Sequence, residues 1–210
     1  DLNRLPAGAR GVSFSVTAWR GFVQADMLMR VSADWTQLVT YGLEYFSSDI
    51  SNVYTGVNPL PPEVFPLKRF PDTQESSGAL YAQGEWVNDA WSIVAGVRLD
   101  HFALDVRSQD GFYPPAKLPA RSMSGSAVSP KLGVMYRASA VWSLFGNYAS
   151  GFRAPNANQV NGYFENAAEQ VVIAPNPELV PEKSRNVELG LRARADRFAF
   201  DLAVFAGRYS

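Results

Sequence analysis

The sequence predicts an all-β fold, an antiparallel transmembrane β-barrel meander, and three observations carry that expectation. Apolar residues recur at every second position in several segments, short and long connections alternate between those segments, and tryptophans gather beside the short connections. Successive side chains of a strand point to opposite faces, so a period of two gives each segment one apolar and one mixed side. No run of about 18 apolar residues occurs, which removes a transmembrane helix, while a barrel needs only alternate residues to face lipid. The mean hydropathy of −0.12 is compatible with such a wall.

The first element is a long strand over 12–31, its second half rich in methionine. A second strand follows over 35–47. In the third, 78–87, one face carries Leu80, Ala82, Gly84 and Trp86, and the other carries Ala79, Tyr81, Gln83 and Glu85. The fourth, 91–106, sets Trp91, Ile93, Ala95, Val97 and Leu99 against Ser92, Val94, Gly96, Arg98 and Asp100. Strands over 129–139, 141–150, 183–194 and 197–208 complete the series, and in the last one Phe198, Phe200, Leu202 and Val204 share a side. Most reach the roughly 9–11 residues that cross a bilayer at a tilt.

The connections are of two kinds. Ser32-Ala33-Asp34, Asn88-Asp89-Ala90, Ser139-Ala140 and Ala195-Asp196 are tight turns. Residues 48–77, 107–128 and 151–182 are long loops, well beyond the about 12–15 residues at which structureless loops become uncommon. Barrels of the outer membrane have short periplasmic turns and long extracellular loops. Trp35, Trp86, Trp91 and Trp142 lie beside the short turns, and Tyr45, Phe46, Phe102, Tyr148 and Phe152 lie towards the opposite strand ends. Two such bands suit the aromatic girdles at the two membrane interfaces. The mixed face places Glu44, Glu85, Arg98, Asp100, Arg137, Glu188, Arg192 and Asp201 towards a wet or protein-filled interior.

Composition narrows function. The 210 residues carry 19 Lys plus Arg against 20 Asp plus Glu, with no basic block, so nucleic acid is not an expected partner. There is no cysteine and a single histidine, His101, which removes thiolate chemistry and leaves neither a Ser-His-Asp triad nor a histidine metal cluster easy to build. An enzyme is not expected, and no catalytic or metal-binding residues are assigned. His101 reads as an interfacial residue at the outer end of its strand.

A resemblance sharpens this. Asn147-Tyr148-Ala149-Ser150-Gly151-Phe152-Arg153-Ala154-Pro155 resembles the strand end and FRAP box of TonB-dependent outer-membrane receptors. Asn176-Pro177-Glu178-Leu179-Val180-Pro181-Glu182-Lys183-Ser184 is similar to their NPNL box, and Asn186-Val187-Glu188-Leu189-Gly190-Leu191-Arg192 to the strand after it. Thr40-Tyr41-Gly42-Leu43-Glu44-Tyr45 and Ala95-Gly96-Val97-Arg98-Leu99-Asp100 are supporting echoes. The paired boxes, with Asn161-Gly162-Tyr163-Phe164-Glu165-Asn166 between them, resemble the haem and haemoglobin receptor branch.

The resemblance implies that 1–210 is part of one receptor barrel of about 22 strands, an internal piece without the N-terminal plug. It implies residence in the bacterial outer membrane, contact with its lipid, and TonB-coupled uptake of haem or haemoglobin-derived iron. The TonB energy complex would act through the plug. Haem or a ferric chelate would be the transported ligand, with no tightly bound cofactor. A ferric-siderophore receptor is the alternative, and a passive porin a more distant one. The ligand-loop residues are Phe152, Arg153, Ala154 and Pro155, with Asn176, Pro177, Glu178 and Leu179. Arg153 and Glu178 are expected to tie the loop's two ends together, with contact between Arg153 and haem propionates as the other reading. Receptors of this branch usually hold a histidine or a tyrosine between the boxes as haem ligand, yet no histidine lies between Pro155 and Asn176, and Val171 and Val172 stand where a tyrosine is expected. Tyr163 is the remaining candidate ligand, since tyrosinate can hold ferric haem, with a packing role as the other reading.

Overall fold

A computed structural model describes residues 10–57, 64–113 and 119–210 of the chain. Eight strands form one antiparallel sheet in which sequence neighbours are sheet neighbours. They are β1 (Arg10–Arg30), β2 (Thr36–Gly56), β3 (Asp72–Val87), β4 (Trp91–Ser108), β5 (Met123–Arg137), β6 (Trp142–Arg153), β9 (Glu182–Ala195) and β10 (Phe198–Tyr209). Between β6 and β9 the chain forms a short helix, α1 (Ala157–Asn161), and a separate hairpin of β7 (Phe164–Asn166) and β8 (Val171–Ile173).

The expected strands are all present, and the segment 12–31 is indeed one strand. Several outrun their expected ends at the long-loop side. β2 continues to Gly56, β3 starts at Asp72 and β5 starts at Met123. The extensions are polar on both faces, as in Ser47-Ser48-Asp49, so they carry no alternation; backbone ladder bonds hold them instead, with Asp49 opposite both Thr17 and Gln74. The connection expected over 151–182 is likewise not a bare loop, because it holds α1 and the β7–β8 hairpin. The centres of the other two expected loops, 58–63 and 114–118, lie outside the described residues.

Register settles which side chains share a face. Tyr41, Ala82, Val97 and Pro130 are successive partners across β2 to β5, and Leu144, Leu191 and Leu202 across β6, β9 and β10. This apolar face is open: Leu80, Leu189 and Val204 are 60%, 59% and 65% exposed. Among water-soluble proteins so wide a patch is rare; facing hydrocarbon it is the expected state.

The opposite face collects the charges. Glu44, Ala79 and Asp100 are partners in register on that side, and Arg98 donates to Asp100 at 2.8 Å and to Glu44 at 2.9 Å. Arg20 also pairs with Glu44. Arg192 and Arg194 donate to Asp201 at 2.8 and 2.6 Å. All eight ionisable residues expected on the mixed face lie there by register.

The tryptophan band is found at the short-turn end: Trp91 lies opposite Tyr136 with ring centroids 4.5 Å apart, and Trp86 and Trp142 share that face. The second band needs correction. Tyr45 and Tyr148 lie on the apolar face, where Trp19 joins Tyr45 at 4.9 Å. Phe46 and Phe102 are on the polar face, and Phe102 is buried. Alternation places neighbours such as Tyr45 and Phe46 on opposite sides, so only one of each such pair can meet lipid.

Candidate functional site

At the long-loop end, the connections fold onto the polar face of the sheet and onto one another. The core there consists of Phe70, Leu104, Ala157 and Val160, with Ile50, Met123 and Leu179 packed against it. Val160 is fully buried. This cluster draws on β2, β4, β5, α1 and the segments 64–71 and 174–181, so it joins three connections into one cap.

Helix α1 is locally encoded. Asn156 caps it by accepting from Gln159 N at 2.9 Å, while the Gln159 side chain accepts from Asn156 N at 3.1 Å, a reciprocal capping box. Glu75 of β3 then accepts from Ala157 N at 2.8 Å and seats the helix over the sheet. The residues Ala157 and Val160, three apart, turn the same side of the helix to Phe70 and Leu104.

Two buried asparagines bind neighbouring backbone. Asn52 donates to the Phe70 carbonyl and accepts from Arg69 N, both at 2.8 Å. Asn161 donates to the Arg121 carbonyl and accepts from Arg121 N, both at 2.9 Å. An amide side chain carries both donors and an acceptor, so Asn161 meets the N–H and carbonyl of Arg121 as a ladder partner would, while Asn52 bridges Arg69 N–H and the Phe70 carbonyl. Further links are Tyr163 N to the Arg69 carbonyl at 2.7 Å and Asn176 N to the Val160 carbonyl at 2.8 Å. The Arg69 guanidinium lies over the Phe164 ring at 4.4 Å and over Tyr54 at 5.0 Å.

The two boxes meet. Arg153, Ala154 and Pro155 of the first and Leu179 of the second line one narrow cleft of about 50 Å³ with Gln159, Val180 and Glu182. Phe152 stacks on Phe102, ring centroids 6.1 Å apart, and Phe102 in turn lies across Gly125, where an added Cβ would stand 2.8 Å from its ring. Asn176 accepts from Glu178 N at 3.3 Å, forming the turn that carries Pro177, while Leu179 enters the core. The expected Arg153–Glu178 tie is not what forms. Arg153 pairs with Glu182 at 3.8 Å, because register sets those two residues directly opposite where β6 meets β9. Both side chains are well exposed, so the contact contributes little stability.

Tyr163 is buried, donates its hydroxyl to Glu165 at 2.7 Å, and meets Tyr113 edge-on at 5.4 Å. His101 stands on the exposed face within 3.0 Å of Ser126 Oγ. Among the described residues no three His, Asp or Glu side chains gather as a metal site. Sequence reasoning missed Asn52 and Glu75 and gave Asn161 no bracing role; the only local signal was the capping pattern Asn156-Ala157-Asn158-Gln159, which marks α1.

The chain is similar to several solved structures. It matches the hemophore receptor HasR of Serratia marcescens, solved with its hemophore HasA and heme, at 17% identity and a TM-score of 0.73, covering 94% of this chain and 34% of that one. It matches the siderophore receptor PirA of Pseudomonas aeruginosa at 18% identity and 0.69, covering 94% and 33%. It matches the ferric citrate transporter FecA at 19% and 0.64, covering 98% and 29%. The chain thus spans about a third of the length of these structures, and the likeness concerns the fold. No curated protein matches the sequence. The family model described as TonB dependent receptor-like, beta-barrel, matches residues 4–210, and the chain therefore belongs to the β-barrel family of TonB-dependent receptors, a family of outer-membrane receptors and transporters.

Proposed function

We propose that the chain forms part of the wall and outer cap of a receptor that takes up haem or haemoglobin-derived iron by TonB-coupled active transport. The observation that carries this reading is one folded loop bracketed by Phe152-Arg153-Ala154-Pro155 and Asn176-Pro177-Glu178-Leu179, the box pair resembling the haem and haemoglobin branch. In this reading the boxes brace the cap: Phe152 anchors on Phe102, Leu179 enters the core, and the β7–β8 hairpin between them is left to meet ligand outside the cell. Haem or a ferric chelate is cargo, and coupling to the energy complex runs through a plug belonging to the full-length receptor. The similarity to a siderophore receptor favours the second reading, uptake of a ferric siderophore.

The test uses the full-length receptor as the sole uptake route of its host, grown on haem, haemoglobin or a ferric siderophore as iron source. Phe164 and Ile173 are direct partners, so residues 165–172 can be replaced by a two-residue turn without parting the strands. A wider excision of 156–175 would also remove Val160 and Asn161 and open the cap. The shortened receptor is expected to fold into the membrane and to lose growth on haem. Normal growth on haem with loss of the siderophore establishes the second reading. Uptake of simple sugars into liposomes without dependence on iron ligands would establish a passive porin.

A further inference from the structure

Several cations on the polar face of the sheet meet carboxylates within it: Arg98 pairs with Glu44 and Asp100, and Arg192 and Arg194 with Asp201. The apolar face shows the opposite at the long-loop end of β9 and β10. Arg185 and Arg208 are direct cross-strand partners there, and Ser150 stands on the other side of Arg185. Lys183, two residues further along β9, shares their side. All three are exposed. The carboxylates of β9 cannot neutralise them, because alternation turns Glu182 and Glu188 to the opposite face, where they meet Arg153 at 3.8 Å and Asn147 at 3.0 Å. Like charges directly opposite one another destabilise a sheet unless an anion lies between them.

What lies beneath the cations identifies the anion. The next pair along the same face is Val187 with Ala206, followed by Leu189 with Val204. Val187, Leu189 and Val204 are open by 45%, 59% and 65%. Tyr148, of the outer aromatic band, is the β6 partner of Val187. The arginines therefore sit roughly 7 Å beyond the last apolar pair along the strand, just past the membrane interface. We propose that Arg185, Arg208 and Lys183 bind the phosphorylated headgroup of an outer-leaflet lipid, whose acyl chains run down over Val187, Leu189 and Val204. Guanidinium forks match phosphate oxygens bidentately, and basic side chains beside an apolar span are attracted to anionic headgroups. This site is separate from the cap and does not depend on which iron ligand the receptor carries.

The test is a titration of the full-length receptor in non-ionic detergent with diphosphorylated lipid A, with its dephosphorylated form, and with inorganic phosphate. The diphosphorylated lipid is expected to bind most tightly. Arg185→Gln and Arg208→Gln should each weaken it about fivefold, and the double Arg→Lys variant, which keeps the charges but loses the forks, should lose affinity to a smaller extent than the double Arg→Gln variant. Iron-ligand binding by each variant, expected unchanged, reports that the barrel is intact. Equal affinity for the phosphorylated and dephosphorylated lipids overturns the proposal, as do Gln variants that bind like the parent. Inorganic phosphate binding as tightly as the lipid would also overturn it, by showing a site for free anion.

Discussion

Replacing Asn52 with alanine should release the segment 64–71 from the sheet while leaving the strands in place. Asn52 is fully buried, and its two hydrogen bonds, both 2.8 Å, end on Arg69 N and the Phe70 carbonyl. Each bond contributes about 1 kcal/mol net, and a backbone group left buried without a partner costs about 1–3 kcal/mol. Water can reach part of the vacated space, which puts the expected local loss at about 2–4 kcal/mol. The β1–β2 and β2–β3 ladders use the backbone of Asn52's neighbours and do not involve its side chain. The loss should therefore appear as local opening. Amide hydrogen exchange measures it: protection of Arg69 N–H should fall by roughly 30- to 700-fold, at tenfold per about 1.4 kcal/mol. Protection at Arg69 within threefold of the parent in the alanine variant would show that the cap is held by its apolar cluster alone, and the reasoning would fail.

Other expectations follow from the same geometry. Val160→Ala leaves a hole between Phe70 and Leu104 and should cost the cap about 2 kcal/mol, read as faster proteolysis at Lys68 and Arg69 with unchanged barrel melting. Val97→Arg places a cation on the exposed apolar face and should cost about 2–4 kcal/mol of folding stability in lipid. The same change at Gln83, on the polar face, should stay within about 0.5 kcal/mol. Tyr163→Phe removes the hydrogen bond to Glu165 and should cost about 1 kcal/mol locally, leaving the spectrum of any bound ferric haem unchanged. Loss of a tyrosinate charge-transfer band in that variant would instead identify Tyr163 as the iron ligand.

The membrane-spanning part of this fold was legible in the residues because its information is local. Burial on one side forces a period of two, so Trp91 to Leu99 declares both a strand and its lipid face before any partner is known, and the same holds for Phe198 to Val204. The boxes were legible through their resemblance to those of the family, and Pro155 falls just past the end of β6. Two features depended on tertiary structure. The strands continue past the membrane through Ser47 to Gly56 and from Met123 because neighbouring backbones supply hydrogen bonds regardless of side-chain polarity, and such extensions leave no alternation to read. The cap is closed by Asn52 on Arg69 and Phe70, by Asn161 on Arg121 and by Glu75 on Ala157, contacts 17 to 82 residues apart. Arg153 likewise met Glu182 in place of Glu178 because register fixes partners at a strand junction. Sequence by itself determined the apolar face of the alternating segments, though not the side taken by Phe46 and Phe102, because hydrocarbon acts on each side chain separately. Only the tertiary structure decided which loops hold one another, because a buried amide takes whatever backbone the folded sheet brings to it.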